Sequence, residues 1–168
     1  MSRGFVKEDD LEHAGTDLPE RQISNHPNYV TATGLKQLEK LASELSAERA
    51  KLVKLKDNQT AIQKLAMVDR DLRYVSARLQ SAILSEQLDS DIQQDTVVFG
   101  ATVNVEDKLG EQHVFTIVGD DEADIKLNKV SWVSPIAKAL IGQKVGDVVV
   151  WPRPAGNMTL EIIKISYT

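Results

Sequence analysis

The chain has no cysteine, so thiol nucleophiles, disulfides and cysteine-held zinc are excluded, and its chemistry falls to carboxylates, histidines and lysines. One such set lies in KLVKLKDNQTAIQK, residues 51–64, where Lys51, Lys54, Lys56 and Lys64 flank one carboxylate, Asp57. A hard divalent cation takes several oxygen ligands. One aspartate among ammonium groups supplies one ligand and a field that repels the cation. His13, His26 and His113 share no metal-ligand spacing. The acidic run Gly119-Asp-Asp-Glu-Ala-Asp124 lacks the spacing and the glycine of an EF-hand loop and reads as a solvated connection between strands. No nucleophile elbow, Walker loop or dinucleotide fingerprint is present. The expectation is a protein with no metal site and no active site of its own.

The 51–64 stretch is placed by its flanks. Leu35, Leu38, Ala42, Leu45 and Leu52 follow a heptad seam interrupted at Arg49. Leu65, Val68, Leu72, Val75, Leu79 and Ala82 step at intervals of three and four. Both runs carry the narrow apolar stripe of a coiled-coil helix with charged residues outside it. Thr33 is the expected cap of the first helix. Lys54, Lys56, Asp57, Asn58, Gln59, Thr60 and Lys64 then form the tip of an antiparallel hairpin, at the end of helices about 36 Å long.

After Asp89-Ser90-Asp91 the period changes. Residues 96–99, 101–105, 113–118, 148–151 and 160–167 are β-branched and partly alternating, and Asp107 to Gly110 reads as a hairpin turn. In SPIAKALIGQKVGD, Ser134 suits an N-cap, Pro135 the first helical position and Gly142 the left-handed exit of a short helix. The predicted class is α+β: a flexible arm over 1–30, a coiled-coil hairpin over 31–90, and a small, mostly antiparallel sheet with one short helix over 91–168. The arm follows from its polar composition and from Pro19 and Pro27; Phe5, Tyr29 and Val30 are its candidate contacts with a partner.

The net charge of −5 is uneven, at −3 over 1–30, +2 over 31–90 and −4 over 91–168. A chain without a basic face is poorly suited to gripping duplex DNA by its phosphates, so protein partners are favoured. Apolar residues make up 42% and charged residues 27%, but no run approaches the roughly 20 residues that span a bilayer, and no secretory h-region opens the chain. A soluble cytoplasmic protein is expected.

From YVTATGL at 29–35 to Tyr167 the chain resembles the GreA/GreB family of bacterial transcription elongation factors. The resemblance is carried by VVFGATVNVED, HVFTIVGDDE and VSWVSPIAKALIGQKVGDVVVWPRPAG. Ser134, Pro135, Ala137, Ala139, Leu140, Val145, Gly146, Asp147, Pro154 and Gly156 match the family pattern. It implies an FKBP-like C-terminal domain that docks on the rim of the RNA polymerase secondary channel, here through Trp132, Val133, Ser134, Pro135, Ile136, Lys138 and Ala139. It also implies a hairpin that enters the channel, in contact with nascent RNA, and a factor that works as a monomer. Cleaving members carry an acidic "D-x-x-E-N-x-x-Y" tip that helps hold Mg²⁺ in the polymerase's own active site. Here that motif is absent and the hairpin is about ten residues shorter, close to one turn per helix. Val133 stands where the family often has aspartate. An apolar residue before the proline also occurs in the related regulator of nucleoside diphosphate kinase, a polymerase binder without cleavage activity.

The resemblance therefore implies a channel-occupying regulator with no cofactor of its own. The alternative is a cleavage factor that shares the polymerase's Mg²⁺ through Asp57. An FKBP-like peptidyl-prolyl isomerase is a third reading. It requires an aromatic-lined proline pocket, for which three Phe, three Tyr and two Trp are a small supply.

Overall fold

The computed structural model describes residues 18–55, 57–85 and 95–167. The chain divides into two compact units, one of residues up to His26 with Leu38–Ser81, the other of Pro27–Gln37 with Ala82–Thr168. Among the described residues no helix is long and apolar enough to cross a membrane.

The first unit is a helical hairpin. Helix α1, Ala32–Val53, starts in the second unit and runs through the first; helix α2, Gln59–Ser81, follows a short turn. At 22 and 23 residues they are each about 34 Å long. The seam reads as the heptad pattern requires: Leu38, Val68 and Val75 are buried, and Leu45, Leu52, Leu65, Leu72 and Leu79 are half-buried. Ala82, expected to end the second seam, lies beyond the helix. Arg49, which breaks the first seam, faces outward and donates from Nε to Asp69 Oδ1 at 2.7 Å, linking the two helices.

The second unit is built on a five-stranded curled sheet. Its strands are β3 (Ala101–Asp107), β4 (Gln112–Val118), β5 (Lys129–Ser131), β6 (Val148–Trp151) and β7 (Met158–Tyr167), in the order β5-β4-β3-β7-β6. Alternation along β3 buries Ala101, Val103 and Val105. With Ile117, Leu160 and Ile162 these meet helix α3 (Pro135–Leu140), whose Ile136, Ala137 and Leu140 complete the core.

The sheet is mostly antiparallel, as expected, with one parallel pair, β5 on β4; at three residues β5 carries too little alternation to announce a strand. Two expectations are corrected. Residues 96–99 are not a strand. Thr96 makes an isolated bridge to Lys144, Val97 is buried, and the chain turns through Gly100 at φ 86° into β3. The arm is not structureless to its end. Tyr29–Val30 (β1) pairs parallel with Ile83–Leu84 (β2), Val30 is 4% exposed, and Tyr29 packs edge-on against Trp132. These residues fold with the sheet because burying Val30 and Tyr29 there removes apolar surface from water.

Candidate functional site

The hairpin turn displays its polar side chains outward. Lys54, Asp57, Asn58, Gln59, Thr60 and Lys64 are all exposed, and Lys56 lies outside the described residues. Asn58 also serves the fold, since its Oδ1 accepts from Ala61 N at 3.2 Å and so caps α2. The nearest other acids of α2 are taken. Asp69 receives Arg49, while Asp71 Oδ1 receives Arg70 at 3.2 Å and lies 3.5 Å from Arg21. The exposed tip therefore offers Asp57 as its carboxylate, with Lys54 and Lys64 exposed in the same segment.

The segment before β1 lies along α2. Arg73 donates to both oxygens of Glu20, at 2.5 Å from Nη2 to Oε1, and the Arg21 guanidinium sits 3.8 Å over the Tyr74 ring. Glu20 is held below its ordinary carboxylate range, chiefly by the Arg73 hydrogen bond. This N-terminal contact with the hairpin is invisible to periodicity, because it consists of isolated ion pairs.

The docking set predicted around α3 divides by burial. Ile136 is 3% exposed and fills the core. Pro135 and Lys138 are exposed; Trp132, Val133, Ser134 and Ala139 are half-buried. Ser134 caps α3, its Oγ accepting from Ala137 N at 3.3 Å and donating to Ser131 O at 2.6 Å. The exposed part of this set consists of Pro135 and Lys138, edged by the half-buried Val133 and Ala139.

The acidic loop 119–124 is structural. Asp120 accepts from Ser131 Oγ, and Asp124 Oδ1 accepts from Lys126 N to cap the 3-10 turn Ile125–Leu127. Glu122, 8% exposed, accepts from Thr31 Oγ1 at 2.5 Å and from Lys129 Nζ at 3.3 Å. Thr31 Oγ1 in turn accepts from Gly34 N at 2.9 Å, so Thr31, not Thr33, caps α1. Thr31 is the capping residue because Val30 is held in β1, which leaves Ala32 as the first helical position.

One cluster escaped the sequence. Asp107 and His113 face each other across the β3–β4 hairpin, Nε2 to Oδ2 at 3.1 Å, with Glu111 beside them. The usable signal was the turn at Asp107–Gly110, which brings 107 against 111–113; spacing among the histidines alone could not reveal it.

The family model described as "Transcription elongation factor, GreA/GreB, C-term" matches residues 92–167, the sheet unit without its β1 and β2. The chain is 33% identical over 153 residues to the transcription elongation factor GreA of Desulfovibrio desulfuricans, covering 82% of this chain and 93% of that one. It is 31% identical over 156 residues to the transcription elongation factor GreB of Neisseria meningitidis serogroup B, covering 83% and 94%. Identity to GreA of Trichlorobacter lovleyi reaches 52%, over only 77 residues. Among solved structures, GreA factor homolog 1 of Thermus thermophilus is 25% identical, with 84% of this chain and 99% of that one covered at a TM-score of 0.40.

Proposed function

The chain belongs to the GreA/GreB family of transcription elongation factors, and on that premise we propose that it is a polymerase-binding regulator that does not itself promote efficient RNA cleavage. Its partner is RNA polymerase, in the cytoplasm. The sheet unit, FKBP-like in the family's manner, docks at the rim of the secondary channel through the Pro135–Lys138 face, and the hairpin enters the channel as a monomeric insert.

The observation that carries this reading is the charge of the turn. A cleavage-promoting tip has to help hold Mg²⁺, and hard cations are held by several oxygens. Here Asp57 stands exposed, three residues after the exposed Lys54, while Asp69 and Asp71 are neutralised by Arg49, Arg70 and Arg21. This donor set does not fit a resident Mg²⁺. The chain is on this reading an accessory to the polymerase rather than an enzyme.

The test uses purified, artificially backtracked elongation complexes. Adding the chain is expected to leave the RNA 3′ end unshortened across a Mg²⁺ titration, while it binds polymerase and suppresses cleavage by an added acidic-tip factor. Shortening that vanishes with Asp57→Ala would overturn the proposal and assign cleavage assistance to that one carboxylate.

A further inference from the structure

We propose that the β3–β4 hairpin holds a borderline transition-metal ion, best fitted by Zn²⁺, through Asp107, Glu111 and His113. One ligand atom from each lies within 4.8 Å of the others. The Nε2 to Oδ2 separation of 3.1 Å is close to the roughly 3.3 Å that two ligands take across a tetrahedral ion at zinc bond lengths.

The set is preorganised by the turn. Asp107 is 8% exposed, and its Oδ1 is occupied by Leu109 N at 2.9 Å and Glu111 N at 3.0 Å, which leaves Oδ2 aimed at the imidazole. Outer hydrogen bonds of this kind orient a ligating carboxylate. His113 is opposite Val105 in the ladder, and its ring lies nearly parallel to Phe115, at 12° with centroids 6.4 Å apart. Among the described residues, neither carboxylate is ion-paired with a lysine or arginine. The bland alternative is a histidine–aspartate hydrogen bond that closes the hairpin. Glu111 separates the two readings: it adds a third donor and a second negative charge that such a bond does not need.

Imidazole with two carboxylates suits Zn²⁺ over Mg²⁺, which prefers an all-oxygen octahedron. The ion takes the place of the proton shared by Nε2 and Oδ2, which is released to solvent, and a water completes the coordination. Bound there, it staples Asp107 to His113 and raises the thermal midpoint of the sheet unit.

The experiment is a calorimetric Zn²⁺ titration of the full chain, with amide and imidazole NMR shifts followed in parallel. One site is expected, perturbing residues 107–113, with Mg²⁺ inert at the same concentration. Glu111→Gln and His113→Gln should each weaken binding about tenfold or more, and His26→Gln should leave it unchanged. Circular dichroism with a chelator present verifies that the variants fold; the exposed Glu111 change keeps the test valid if His113→Gln does not. Absence of Zn²⁺ binding, binding that survives both hairpin variants, or equal binding of Mg²⁺ would each overturn the site.

Discussion

Gly119 is glycine because the Tyr29 carbonyl oxygen lies where its side chain would begin: a Cβ built there sits 2.2 Å from that atom. Backbone cannot rotate aside as a side chain can, so Gly119→Ala must push β1 off its place. The expected cost is about 1–3 kcal/mol, read from the urea midpoint. Gly34 is a subtler case. Alanine in a helix ordinarily gains about 1 kcal/mol over glycine. Here the new methyl would lie 2.6 Å from Glu122 Oε2, the oxygen that holds the α1 cap through Thr31. Losing a buried, charge-assisted hydrogen bond costs about 1.5–3 kcal/mol, which outweighs the propensity gain. Gly34→Ala should therefore destabilise in the same urea assay, and a stabilised variant would show that Glu122 swings freely. Both glycines stood in plain view in the sequence, Gly119 within the very motif that carries the family resemblance. Their reasons did not, because each is set by an atom about ninety residues away.

At the scale of elements, legibility followed length. The long helices and the ten-residue β7 announce themselves by period, as do the Ser134 cap and Pro135 of α3. The two-residue β1 and β2 and the three-residue β5 show no period and are fixed by partners. That the tip carries a single carboxylate was legible, because composition alone decides it; the pairing of Asp69 with Arg49 needed the hairpin. Asn58 is a testable residue of that hairpin: Asn58→Ala should cost about 1 kcal/mol by removing the α2 cap, seen as a lower helix-melting midpoint. The contact of the N-terminal segment with α2 should respond to acid. Glu20 is depressed in the folded chain by Arg73, so its contact is fully present above the ordinary carboxylate range and is lost as pH falls through the lowered folded value. An NMR titration of the Arg73 Nε–H should show its midpoint below 4.5 and a shift toward 4.5 with added salt. A midpoint at or above 4.5 would mean that the pair does not hold in solution.

For the whole molecule, the two units are of unequal build, and this bears on how the chain unfolds. The sheet unit encloses a cluster of eleven buried apolar residues, among them Val103, Ile117, Leu140, Leu160 and Ile162. The hairpin unit buries Leu38, Ala61, Val68 and Val75. Fewer and smaller buried side chains give it less apolar area removed from water, and hence less stability per residue. The signals separate conveniently: Trp132 and Trp151 both lie in the sheet unit, while most helical residues belong to the hairpin. Urea should therefore reduce the far-ultraviolet helix signal at a lower concentration than it shifts tryptophan emission, a departure from two-state behaviour. The same logic assigns each variant to a probe. Gly119→Ala should move the tryptophan transition and Asn58→Ala the helix transition. Coincident curves in the unaltered chain, shifted together by either substitution, would show that α1, which runs from one unit into the other, makes the two a single cooperative block.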